Sequence, residues 1–130
     1  NWIEGHTDRF NALVSHDGVF NLESMTGSTE ELWFPLWEYG APYWKDRTDY
    51  EKFSPNRFIK NFKTPMLIIH GGNDFRVPEG QAMELFTALQ LMNVDSKFLY
   101  FPDETHFVQK AQNARLWWNT VFDWFNQHKK

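Results

Sequence analysis

An open, parallel α/β sheet covered by helices is the fold class this sequence predicts, and two observations predict it. From residue 66 onward the chain reads strand, helix, strand, helix, an order that specifies right-handed crossovers between parallel strands. The best of those strands, Met66 to His70, opens with four consecutive apolar residues. A strand covered on both faces by helices has that pattern.

The elements follow in order. Residues 1–9 read as the last turn of a helix, with Gly5 as its C-cap. Phe10 to Ser15 reads as a short buried strand, and His16-Asp17-Gly18 as its exit loop. Residues 21–28 are turn-rich. Glu30 to Tyr39 is expected to be helical, with Ser28-Thr29 as its N-cap pair and Gly40-Ala41-Pro42 as its stop. Trp44 to Asn61 is polar and interrupted by Pro55, which predicts loop and short helix. After the strand at 66–70, Pro78 to Met92 carries Ala82, Leu85, Phe86, Leu89 and Met92 on one helical stripe. Lys97 to Phe101 is the next strand and Pro102 to Phe107 its exit loop. Ala111 to Gln127 closes the chain as a long helix, with Ala114, Trp117, Trp118, Val121, Phe122 and Phe125 along one wide face.

The totals exclude several function classes. At 130 residues the chain fits one domain and not two. Hydrophobic residues make up 42% and aromatic residues 18%, so the core should be largely aromatic. A net charge of −4 argues against a nucleic-acid partner, which needs a basic face toward phosphates. No apolar run approaches the roughly 20 residues that span a bilayer. A soluble protein, cytoplasmic or bacterial periplasmic, with no membrane partner is therefore expected. The absence of cysteine removes disulfides, thiolate zinc sites and a Cys nucleophile. The five histidines form no H-E-x-x-H and no pair four apart, so neither a metal nor another cofactor is expected.

In an open parallel sheet, functional side chains lie in loops beyond the carboxyl ends of the strands. Asp74 lies in the loop after 66–70, and His106 in the loop after 97–101. One crossover helix separates the two strands, so the loops should open at the same edge. A carboxylate that fixes an imidazole, and an imidazole that takes a proton from a serine, is the logic of acyl transfer. The serine itself should sit in a G-x-S-x-G elbow. Ser15, Ser24, Ser28, Ser54 and Ser96 all lack that context. Since the expected chain order is Ser, Asp, His, the nucleophile should precede Asn1.

Plainer readings stand beside these. An Asp in a Gly-rich turn often serves only its own backbone. Asp103 and Glu104 read as solvent-facing acids and His70 as a structural histidine, while His16 and Asp17 are candidates for the same cleft edge. Trp33, Trp37 and Trp44 form either a substrate wall or, the favoured reading, packing of the loop segment onto the sheet.

Several segments in this order carry a family resemblance. They are Asn1-Trp2-Ile3 with Gly5-His6-Thr7-Asp8-Arg9-Phe10, Trp37-Glu38-Tyr39-Gly40 with Pro42 and Trp44, and Ser54-Pro55. Thr64-Pro65 running through Met66 to Asp74, and Pro102-Asp103-Glu104-Thr105-His106, complete the set. Together they resemble the C-terminal half of the α/β-hydrolase catalytic domain of the prolyl oligopeptidase family of serine peptidases. Within it, they look most like the acylaminoacyl-peptidase and dipeptidyl-peptidase 5 branch.

That resemblance implies Asp74 and His106 as triad members. It implies Arg76 near the peptide carbonyl and Val77 on the wall of the first specificity pocket. The serine, the oxyanion-hole donors, a β-propeller and the amine-binding acids would lie before Asn1. The expected substrate is a short peptide, cleaved to release dipeptides or acylated residues, and this chain alone should be inactive. Its expected partners are the upstream part of the same enzyme and a second copy in a homo-oligomer. A non-catalytic hydrolase-like binding module and an esterase of the same fold are the alternatives.

Overall fold

The computed structural model describes residues 1–129. Its centre is a three-stranded parallel sheet in the order β1 (Leu13–His16), β2 (Met66–Gly71), β3 (Ser96–Phe101). Leu13 pairs with Met66, and Met66 with Ser96, so the strands run in step and their carboxyl ends finish together. Among the described residues five helices accompany them: α1 (Leu22–Ser28), α2 (Trp33–Tyr39), α3 (Thr48–Phe53), α4 (Gly80–Leu91) and α5 (Ala111–His128). Short 3-10 turns occupy Ile3–Gly5 and Pro55–Asn61.

The apolar run of β2 is apolar because both of its faces are covered. Met66 and Ile68 face a cluster with Leu85 and Leu89 of α4 and with Phe20 and Phe62. Leu67 and Ile69 face the opposite cluster, with Phe101 and with Val121 and Trp124 of α5. Each of these side chains contributes about 1.5–3 kcal/mol when fully buried. Every residue of β2 is buried, whereas every residue of β1 is only half-buried, as expected of a strand at the sheet's edge. The indole of Trp124 donates to the Leu13 carbonyl at 3.1 Å and ties α5 across to β1.

The strand–helix–strand–helix order after residue 66 is observed. The differences lie elsewhere. The segment 21–28, expected as turns, is helix α1. Asn21 caps it, accepting from the Glu23 and Ser24 amides, and Leu22, Met25 and Thr26 are buried beneath it. Packing and a cap thus override the weak helix propensity of its Gly, Ser and Thr. Thr29 closes α1 rather than opening the next helix. α2 starts only at Trp33, and ends as expected at Gly40, whose φ of 70° is left-handed. The long helix turns its face further round than expected. Trp124 is buried while Trp118, Phe122 and Phe125 are exposed. Trp33, Trp37 and Trp44 do not pack on the sheet; all three are largely exposed.

Candidate active site

The two glycines that end β2 have a steric cause. A Cβ on Gly71 would lie 2.1 Å from the Thr105 carbonyl oxygen, and one on Gly72 would lie 2.4 Å from the Tyr100 hydroxyl. The loop after β2 therefore touches the loop after β3 backbone to backbone. Gly72 N–H donates to Phe101 O at 2.8 Å, and Asn73 N–H donates to Glu104 O at 2.9 Å. This contact carries Asp74 against His106.

The Asp74 carboxylate is divided between two tasks. Oδ1 accepts from the Arg76 and Val77 amides, each at 3.0 Å, which is ordinary turn chemistry. Oδ2 lies 2.8 Å from His106 Nδ1. A carboxylate accepts, so Nδ1 carries the hydrogen and, in the neutral ring, Nε2 holds the free lone pair. The Asp74 side chain is wholly buried while the His106 ring is 27% exposed. The acid is fixed and the imidazole stays open to a reactant.

His70 is buried at the end of β2, and its Nε2–H donates to Val77 O at 2.7 Å, holding the turn from below. Glu104 corrects the expectation of a solvent-facing acid. It is buried, and it accepts from the amides of Gln109 and Lys110 and from Asn113. Burial works to raise its carboxyl. The bonds from Asn113, Gln109 and Lys110, with the Lys110 charge, outweigh that and hold it below the usual range. Asp103 is exposed, as expected, and pairs with Lys110.

Beside His106 lies a cavity of about 240 Å³, lined mostly by Val19, Met25, Phe34, Val77 and the Arg76–Glu31 pair. Val77 thus stands on a cavity wall next to the histidine. The Arg76 guanidinium sits 2.9 Å from Glu31, half exposed at the rim. The sequence reading missed Val19, Met25, Phe34 and Glu31, and the devices that place them. Thr29 Oγ donates to Arg76 O at 2.6 Å, and Glu30 N–H donates to Phe75 O at 2.9 Å. Gln81, buried in α4, accepts from the Phe20 and Asn21 amides and fixes the approach to α1. No local pattern announces these long-range bonds. The cap at Asn21 was the available signal, since it marks where helix α1 begins.

Asp17 belongs to the same cluster, at the end of β1. With His70 and Asp74 it forms the one trio, among the described residues, whose ligand-type atoms come within 4.8 Å of one another. His70 Nε2 and both Asp74 oxygens are already hydrogen-bonded within the protein, and we assign no ion to them.

Known proteins resemble this chain in sequence and in fold. The pattern of the prolyl oligopeptidase family matches residues 1–130. Dipeptidyl-peptidase 5 of Porphyromonas gingivalis is 44% identical over 99% of the chain, which covers 20% of that protein. Dipeptidyl-peptidase 5 of Schizosaccharomyces pombe is 39% identical over 100% of the chain and 19% of its own length. The chain therefore spans about a fifth of these relatives. A solved Pyrococcus horikoshii acylaminoacyl peptidase superposes on 96% of the chain with a TM-score of 0.90 at 22% identity, over 21% of that structure. A puromycin-hydrolyzing peptidase of Mycobacterium tuberculosis superposes on 95% with a TM-score of 0.86 at 26% identity, over 19% of its own chain. The parallel sheet is of the α/β-hydrolase type these peptidases share. Among the described residues no helix is long and apolar enough to cross a membrane. With its whole length matched and its relatives at these identities, the chain belongs to the prolyl oligopeptidase family.

Proposed function

We propose that this chain furnishes the general base and its supporting acid to a serine peptidase acting on short peptides, as a dipeptidyl peptidase. The observation that carries the reading is the 2.8 Å contact between buried Asp74 and half-open His106 on adjacent loops at one sheet edge. A serine supplied by sequence preceding Asn1 attacks the scissile carbonyl. His106 Nε2 takes the hydroxyl proton and returns it to the leaving amine, while Asp74 holds the ring and stabilises the imidazolium. Val77, Met25, Val19 and Phe34 give the adjoining cavity an apolar lining, which suits an apolar side chain next to the cleaved bond. Arg76, paired with Glu31, borders the peptide at the rim. The dipeptidyl reading draws its support from the dipeptidyl-peptidase 5 relatives.

The partners follow the same reasoning. Among the described residues strand β1 pairs on one side only, with β2, and its free edge suits further strands of the same enzyme. Exposed Trp118, Phe122 and Phe125 on α5 suit a second copy. Sedimentation of the full-length gene product as a monomer would remove the second copy.

Fluorophosphonate labelling of the full-length gene product, read as intact mass, tests the proposal. The expected result is one adduct on a serine, with hydrolysis of dipeptidyl nitroanilides bearing an apolar penultimate residue. A folded protein that takes no adduct overturns it in favour of a non-catalytic module.

A further inference from the structure

We infer that Asp17 is a second positioning residue for His106, a carboxylate after β1 that supports the ring hydrogen held by Asp74 and takes it over when Asp74 cannot. The inference rests on the peptidase reading, and adds to it a residue just after β1. Each strand would then deliver one group to the same imidazole edge: Asp17 from β1, Asp74 from β2 and His106 itself from β3.

The backbone sets Asp17 there. Its N–H donates to Ile69 O at 3.0 Å, extending the β1–β2 ladder by one rung. Its φ of 49° is left-handed, a conformation that L residues seldom take, and Asp and Asn among the more readily. The turn throws the side chain inward, where it is 5% exposed. Oδ2 lies 3.8 Å from His106 Nδ1, a few tenths of an ångström beyond hydrogen-bond reach.

No side-chain hydrogen bond among the described residues ties the carboxylate down. Oδ1 faces His70 Nδ1 at 3.6 Å, and neither atom has a hydrogen-bond partner among the described residues. His16 Nε2 is 3.0 Å from Oδ2 yet is not aimed for a hydrogen bond. A buried carboxylate normally has its lone pairs filled. Asp17 keeps Oδ1 unfilled against His70, and its Oδ2 lies between His16 Nε2 and the Nδ1–H of His106. A residue serving only the turn would not need a carboxylate, because glycine takes a left-handed φ with less strain.

The test is a double-mutant cycle in the full-length gene product, with Asp17→Asn and Asp74→Asn singly and together. Asn keeps the shape and the left-handed backbone, removes the charge and turns one acceptor oxygen into a donor NH2. Asp17→Asn alone is expected to lower kcat/KM about fivefold with KM unchanged. It should also move the acidic limb of the pH profile to lower pH, since a negative charge beside the imidazolium is gone. The titratable groups facing Asp17 are His16 on its own strand, His70 on β2, Asp74 after β2 and His106 after β3. In the Asp74→Asn background the same change is expected to remove at least about tenfold of the residual activity. Equal losses in both backgrounds, or none, overturn the inference. Asp17→Gly guards against misfolding: full activity there assigns Asp17 to the turn alone and overturns the inference as well.

A protein that takes no fluorophosphonate adduct defeats the peptidase reading by itself, and a ring measurement then decides on Asp17. With histidine-selective ¹⁵N labelling, the His106 Nδ1–H resonance should survive in Asp74→Asn and vanish in the double variant. Its loss in Asp74→Asn alone overturns the inference.

Discussion

The loops after β2 and β3 solve the same problem with the same device and reach different ends. Each has a buried acid that accepts two amides of its own loop: Asp74 from residues 76 and 77, Glu104 from residues 109 and 110. Glu104 spends its remaining capacity on Asn113 of α5, so it serves the helix start. Asp74 gathers both amides on Oδ1 and keeps Oδ2 for His106. Burial and turn bonding are therefore common to both acids. The distinguishing feature is one oxygen left over and aimed at an imidazole.

The largest effect should come from spending that oxygen differently. Asp74→Asn in the full-length gene product is expected to lower kcat about 10²–10³-fold with KM nearly unchanged, measured on dipeptidyl nitroanilides, short of the roughly 10⁴-fold loss of an unsupported imidazole because Asp17 keeps the ring hydrogen. Glu104→Gln should lower kcat by less than about tenfold. Similar losses from the two variants would erase the contrast between the loops.

Next in size is the contact that holds the loops together. Gly71→Ala brings a methyl onto the Thr105 and Glu104 carbonyls, which are backbone and cannot swing aside. A loss of about 1–3 kcal/mol in urea unfolding is expected. A wild-type midpoint would show that the loops part without cost.

A smaller effect concerns acid stability. The Glu104 carboxyl is held below its ordinary value of 4.5 in the folded chain. Its contribution is therefore complete above that value and is lost as pH falls through the lower folded one. Glu104→Gln should flatten the fall of melting temperature in that acid window and leave neutral pH behaviour parallel to wild type.

The smallest effect lies outside both loops and acts as a control. His128, at the end of α5, is raised by its bond to Asp95, then by its bond to the Trp124 carbonyl. Its contribution is complete below the ordinary 6.5 and is lost as pH rises through the raised folded value. Asp95→Asn should shrink the difference in melting temperature between about pH 6 and about pH 8. Its nitroanilide kcat should stay within about twofold of wild type.

The two loops also mark where sequence reading succeeds and where it stops. Alternation and apolar runs report local burial, so β2, α4, β3 and α5 were legible. The meeting of Asp74 with His106 was legible because strand ends and chain order constrain which loops adjoin. Glu104 was misread as a surface acid because nothing local shows that the start of α5 folds back over it. Helix α1 was missed because its stability comes from a cap at Asn21 and from buried Leu22 and Met25, not from its own propensity. The cavity wall draws on α1, α2 and the β2 loop together, and such convergence leaves no periodic trace in any one of them.

The close approach at Gly71 has a practical reading for anyone reshaping specificity. A stem that meets its neighbour's backbone admits no side chain, so a mutational library spent on Gly71 would return mostly dead clones. Diversity placed at positions 19, 25, 34 and 76 leaves the stems intact, and explores the wall of the cavity while the acid and its histidine stay in register.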